Sequence, residues 1–217
     1  MDARETIARR AALEVNDGEV VNLGFGMPLA CADYIPAGVE VILQSENGCL
    51  MTGPTPKLGD QDADNGNAGG MPITLLKGAA IFDIAESFCI IRGGHVNTAI
   101  LGALEVDQHG NIANWSMPGR SPGMGGAMDL VYGAQKVVAI LQHQDKNGNS
   151  KILKDCQLPL TGLAAVNIIV TEKAVFKVTE DGLVLEEAAA GLTPDDIRAI
   201  TQADFVVADD FCDYRLS

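Results

Sequence analysis

Short apolar runs that stop at glycine or polar clusters, with helical periodicity between them, are what most restrict the fold of this chain. Residues 20–23, 39–44, 98–106 and 136–142 are such runs, and their Val, Ile and Leu content is that of buried strands. Residues 3–15 place Ile7, Ala11 and Val15 on one helical face, Pro28 suits the first turn of a helix, and residues 81–91 read as a further helix. Strands alternating with helices predict an α/β fold with a mostly parallel open sheet flanked by helices. A small antiparallel section is expected over residues 167–178 and 183–187, turning at Asp181-Gly182. A helix capped by Thr193 and opened by Pro194 should follow, then a last strand at 204–207. With 217 residues, no internal repeat and no linker, a single domain over 1–217 is predicted.

Charge and composition remove several function classes. Fifteen basic against twenty-nine acidic residues give a formal charge of -14, a surface that repels the phosphates of nucleic acids and anionic lipids, so neither is expected as a partner. The longest apolar candidate, residues 158–170, is interrupted by Thr161, Gly162 and Asn167, so no membrane span is expected. The opening MDARETIARR is too polar for a signal peptide, and a cytoplasmic location is expected. Five scattered cysteines without a CxxC indicate free thiols, and three histidines without i, i+4 spacing indicate no metal site.

Three segments carry candidate chemistry. Gly24-Phe25-Gly26 follows a strand, but the third glycine of a dinucleotide fingerprint falls at Leu29, so that reading fails. Gly24 and Gly26 then belong either to a tight strand-to-helix turn or to a ligand-facing loop. Ser45-Glu46-Asn47-Gly48 places a carboxylate at the C-terminal end of a strand, where open α/β sheets bind ligands, and Gly48 would let a second molecule approach the backbone. Gly123-Met124-Gly125-Gly126 precedes a helix and can present free N–H groups to an anion, or can simply be a flexible helix entry. Residues 51–72, rich in Gly, Pro, Asp and Asn, read as a long loop that lines or covers a site. His95 after Arg92-Gly93-Gly94 fits a helix-end partner better than a catalyst, and Trp115 fits core or interface.

Leu43-Gln44-Ser45-Glu46-Asn47-Gly48 resembles the B-type (beta) signature of the family I coenzyme A transferases, the 3-oxoacid CoA-transferases. Residues 21–28, 91–95, 111–115, 123–130 and 158–162 resemble that type of chain in the same order along nearly the whole length. The resemblance implies a fold of the CoA-transferase and NagB-like kind. It also implies that Glu46 is the covalent catalyst and that Gly126, with Gly125 beside it, supplies an amide near the reacting carbonyl and CoA. CoA would be a substrate, with no other cofactor, and a companion A subunit would complete the site in a hetero-oligomer, α2β2. Short-chain donors and acceptors of the acetoacetate, butyrate, acetate or succinate type are implied, acetoacetate-linked transfer first. The chain departs from the family after the signature, with Cys49-Leu50-Met51 in place of two aliphatic residues and a small one, which would reshape an acyl pocket. Three other readings compete: a sugar-phosphate isomerase with Glu46 as general base, an acyl-CoA hydrolase, and a non-catalytic subunit that binds acyl-CoA.

Overall fold

The computed structural model describes residues 2–121 and 123–216. Helix α1 (Ala3–Ala11) precedes strands β1 (Val20–Leu23), β2 (Ile42–Ser45), β3 (Cys49–Thr52) and β4 (Leu75–Ile81). Helix α2 (Ile84–Arg92) leads to β5 (Val96–Gly102), β6 (Glu105–Asp107) and β7 (Ile112–Ala113). Helix α3 (Ala127–Gly133) leads to β8 (Ala134–Ile140), β9 (Ile152–Leu153), β10 (Ile168–Val170), β11 (Ala174–Thr179) and β12 (Gly182–Ala188), and α4 (Pro194–Ile200) to β13 (Phe205–Asp213). One sheet has the order β13-β12-β11-β10-β8-β5-β1-β2-β3-β4, and a second, small sheet the order β7-β6-β9.

The centre of the large sheet, β10-β8-β5-β1-β2, is parallel. Its strands are apolar on both faces because both faces are covered. Along β5, Ile100 packs with Ile7, Ala8 and Ala11 of α1, whereas Ala99 and Leu101 pack with Ile91 of α2 and Leu130 and Val131 of α3. Strand β8 alternates in the same way, Val138 and Ile140 to the α1 face and Val137 and Ala139 to the other. Local capping agrees with these helices: Asp2 Oδ1 accepts from the Glu5 amide at 2.8 Å, Asp83 Oδ1 from the Glu86 amide at 2.9 Å, and Thr193 and Asp196 form the expected start of α4 as a reciprocal capping box.

Several features differ from the sequence reading. Antiparallel pairing occurs on both flanks of the sheet, at β10-β11-β12 as expected and also at β2-β3-β4. Strand β3 takes the first residues of the supposed loop, and β4, with exposed Leu76 and Ile81 and Gly78 at φ 95°, lacks the alternation that marks a strand. The apolar stretch 98–106 divides at Gly102, where Ala103 still bonds the Ile140 carbonyl of the large sheet while Leu104 bonds Ala113 of the small one. The helix after Pro28 is a 3-10 helix (Met27–Tyr34). The last strand runs on to Asp213, because an exposed edge strand can carry Asp209 and Asp210 that hydrophobic patterning excludes.

Candidate active site

Strand β1 is where the strand order reverses, with β2 on one side and β5 on the other. The crevice outside the C-terminal ends of these strands is where open α/β sheets take ligands. Gly24 and Phe25 leave β1 into that crevice, Glu46 leaves β2, and Ala103 and Leu104 leave β5.

Glu46 sits in the turn between β2 and β3, closed by the Gly48 amide donating to the Ser45 carbonyl at 3.0 Å. The Gly48 φ of 118° and the Phe82 carbonyl against its Cα both demand glycine, since a Cβ would also stand 3.1 Å from the Phe82 carbonyl carbon. The backbone that approaches Gly48 is thus this chain's own, with Phe82 N donating to Gly48 O at 3.0 Å, rather than a second molecule as the sequence suggested. Ser45 Oγ donates to Asn47 Oδ1 at 2.6 Å and accepts from the Ala68 amide at 3.0 Å, while Asn47 Nδ2 donates to the Gly66 carbonyl at 2.8 Å. The residues on either side of Glu46 therefore pin the long loop against the site. Beneath the turn, Asn22 Nδ2 donates to Gln44 Oε1 at 2.5 Å, and Gln44 Nε2 to Ser87 Oγ at 2.9 Å, all three side chains buried.

Glu46 is half-buried, and the amide of Gly126 donates to its carboxylate. A Cβ on Gly126 would overlap Glu46 Oε2 and stand 2.7 Å from Cδ, so the close approach requires glycine there. Burial pushes the Glu46 carboxyl above the ordinary glutamate range, the Gly126 amide pulls it back, and the charge of Asp129 pushes it up again. Asp129 in turn accepts from Arg92 Nε at 2.7 Å, which joins two motifs that lie far apart in sequence. The motifs at 111–115 and 158–162 also meet: Thr161 Oγ1 donates to Asn114 Oδ1 at 2.7 Å and Trp115 Nε1 to the Leu160 carbonyl at 3.2 Å.

Two cavities open on Glu46. The first, about 310 Å³, lies toward β1, β2 and the long loop; the second, about 610 Å³, lies toward residues 123–127 and Trp115. Glu46, Gly24, Phe25 and Ala68 line both, and Phe25 is 76% exposed at the boundary. Of the residues singled out from sequence, Glu46, Gly24, Gly125 and Gly126 come together at the second cavity, whereas Gly26 faces a third, of about 750 Å³. Trp115 is a wall of the second cavity. Sequence reasoning missed Ala68, whose amide bonds Ser45 Oγ, and the Asn22-Gln44-Ser87 chain. Polar residues set in apolar strands were the available signal for that chain. Among the described residues no group of three or more His, Cys, Asp or Glu side chains could hold a metal ion, and no helix is long and apolar enough to cross a membrane. A carboxylate of raised basicity between two cavities can attack a bound carbonyl carbon or take a proton.

A family model described as coenzyme A transferase matches residues 4–199. The chain is 51% identical over 219 residues to the beta chain of the acetate CoA-transferase of Haemophilus influenzae, covering 100% of this chain and 97% of that one. It is 50% identical over 208 residues to the B-type chain of a probable succinyl-CoA:3-ketoacid coenzyme A transferase of Bacillus subtilis, covering 95% of this chain and 96% of the relative. Among solved structures, an acyl-CoA transferase apoenzyme from Escherichia coli matches with a TM-score of 0.77 at 24% identity, over 99% of this chain and 43% of that longer one. The decarboxylase AibA/AibB matches with a TM-score of 0.71 at 21% identity, over 99% of this chain and 89% of that one. These two structures share the fold, and their different names show that the fold does not select the reaction.

Proposed function

Since this chain belongs to the coenzyme A transferase family, as a beta-type (B) chain, we propose that Glu46 carries CoA from an acyl-CoA donor to a carboxylic acid as a glutamyl-CoA thioester. The observation that supports this most is one carboxylate, raised in basicity and held by the Gly126 amide, at the wall common to two cavities. A transferase that stores CoA on itself needs that arrangement, because the acyl group and the CoA thiol must each reach the same side chain. The sugar-phosphate isomerase, hydrolase and non-catalytic readings have no comparable support.

In this reading a Glu46 oxygen attacks the thioester carbonyl carbon, the C–S bond breaks, and CoA leaves as the thiolate, giving an acyl-glutamyl anhydride. The thiolate then attacks the glutamyl carbonyl, and the donor's acid leaves as its carboxylate with the former acyl oxygen and one oxygen from Glu46. The acceptor carboxylate runs the same two steps in reverse, so no water is consumed and the free energy of the thioester is kept. Each step puts negative charge on an oxygen bonded to the glutamyl or acyl carbon. A preorganised donor there contributes about 2.7–4 kcal/mol, and the Gly126 amide, with Gly125 beside it, is placed to follow the Glu46 oxygen. Gly24 keeps β1 close to β5, its amide donating to the Ile100 carbonyl at 2.9 Å, and so sets the floor of the crevice. The segment at 66–68, pinned by Ser45 and Asn47, excludes water that would hydrolyse the anhydride.

This chain works with an A subunit in a hetero-oligomer, α2β2, and CoA is a substrate rather than a resident cofactor. The relatives named as beta and B subunits support a partner subunit. A cytoplasmic location fits the five unpaired cysteines. The test is to co-express both subunits, add an acyl-CoA without acceptor, and treat with borohydride. A reducible CoA adduct should map to Glu46 and be absent in Glu46→Ala; an adduct on another residue, or none in the assembled enzyme, overturns the proposal.

A further inference from the structure

We infer that Arg92 is a positioning residue for the transfer: through Asp129 it holds the first turn of α3, and with it the Gly126 amide, against Glu46. The inference rests on the Glu46 reading above, in which the motif at 91–95 has no part.

Helix α2 stops at Arg92 because two glycines turn the chain there. The amides of Gly93, Gly94 and His95 donate to the carbonyls of Cys89, Ile91 and Ile90 at 2.8, 3.1 and 3.1 Å, and Gly94 takes a φ of 76°. This end of α2 grips α3 twice. Gly133 lies so close to Ile91 that a Cβ would overlap the Ile91 carbonyl oxygen, and one turn earlier Asp129 Oδ1 accepts from Arg92 Nε at 2.7 Å. Arg92 Cζ lies 5.4 Å from the centroid of the Phe88 ring, which steadies the guanidinium on its own helix. Two anchors a turn apart fix both the height and the rotation of α3. The Gly126 carbonyl accepts from the Asp129 and Leu130 amides at 3.1 and 3.0 Å, so the turn that carries Asp129 also aims the Gly126 amide at Glu46.

Arg92 also answers a charge. Asp129 pushes the Glu46 carboxyl up, and an unpaired carboxylate near the Gly126 amide would oppose the negative charge that grows there at each attack. The guanidinium offsets that charge, and its bond keeps the Asp129 carboxylate in one place. Among the described residues, the other charged groups lining the two cavities of Glu46 are Asp33, from the 3-10 helix, and Arg120, from the segment before Gly123. Cys49 on β3 carries a thiol that burial pushes up and so keeps neutral, and Cys89, also on α2, faces Arg92.

The test uses the assembled complex with acetoacetyl-CoA as donor and acetate as acceptor, and reads kcat and the acid limb of kcat/KM. Arg92→Met should lower kcat by about tenfold, since the Gly126 amide loses an anchor, and move the acid limb up by about 0.5 pH unit. Asp129→Asn keeps the oxygen that accepts from Arg92 and removes the charge, so the limb should move down by a similar amount. Arg92→Lys, which keeps the cation without the fork, should return the limb and recover kcat only in part. In the Asp129→Asn background, Arg92→Met should move the limb no further, because its effect runs through the Asp129 charge. An ion pair that merely joins two helices would lower the unfolding temperature in both variants and leave both limbs in place, and that result overturns the inference. So does a shift from Arg92→Met that is as large without the Asp129 charge as with it. A wild-type complex that gives no borohydride-reducible adduct on Glu46 means instead that the Glu46 reading itself has failed.

Discussion

Glu46 and Glu187 are the same side chain taken out of water in two different ways. Glu187 lies inside β12 with 0% of its surface exposed, accepting from Arg10 Nε at 2.7 Å and Nη2 at 3.1 Å and from the Arg215 guanidinium and amide. Arg10 is itself 1% exposed and also bonds Glu14 Oε1 at 2.5 Å, so the cluster ties α1 to β12 and to the segment after β13. Burial pushes the Glu187 carboxyl up, but the Arg10 hydrogen bond and charge, with the Arg215 bonds, outweigh it and hold it below the ordinary range. Glu46 meets the Gly126 amide and the charge of Asp129 instead, and its carboxyl is held above that range. Pairing, more than burial, decides which carboxylate becomes an inert strut and which keeps a reactive lone pair.

Substitution separates the two most sharply. Glu46→Gln in the assembled enzyme should lower turnover by about 10⁴-fold or more, as loss of a covalent nucleophile does, while thermal unfolding shows no loss of stability. A variant that keeps its rate would break the contrast from the reactive side. Glu187→Gln should do the reverse, leaving the buried Arg10 with Glu14 as its one remaining carboxylate partner at a cost of about 3 kcal/mol, with near-normal turnover per folded molecule. Urea unfolding measures the first quantity and titrated active sites the second.

Acidity gives a smaller and opposite pair of signatures. With its folded pKa raised, Glu46 contributes stability that is present below about pH 4 and lost as pH rises through the folded value, so Glu46→Gln gains on the wild type toward neutral pH. The acid limb of kcat/KM should correspondingly lie above that of an ordinary glutamate. Glu187, with its folded pKa lowered, contributes stability that is present above about pH 4.3 and lost as pH falls through the folded value. Urea unfolding of both variants across the acid range measures these slopes, and slopes of the same sign would dissolve the contrast.

The smallest effect lies in the strand after Glu46. Met51 adopts a φ of 62°, a left-handed conformation that costs a side chain about 1 kcal/mol. Met51→Gly should therefore raise stability by about that amount. An unchanged unfolding midpoint would show that β3 bears no such strain.

Much of this was readable along the chain because it rests on local periodicity. The parallel centre, α1, the cap at Thr193 and the turn at Asp181-Gly182 all follow from apolar spacing and turn chemistry within a few residues. Strand β4 was not readable, since an edge strand with exposed apolar residues and an internal glycine has no alternation to see. The break at Gly102 was hidden because the residues on both sides are apolar, although they serve different sheets. At the site, the motif at Glu46 and the glycines at 125 and 126 stood out from residue type and order. Their meeting, and the Arg92-Asp129 pair behind them, did not.

Sequence alone determined the class of fold, the carboxylate at a strand's end and the family to which these motifs belong, because each is written in residues close together in the chain. Only the tertiary structure decided that Glu46 stands at the wall common to two cavities, and that Glu187 is neutralised by Arg10 and Arg215. A carboxylate's reactivity is set by the charges and dipoles within a few ångströms of it, and folding draws those from segments separated by up to 177 positions.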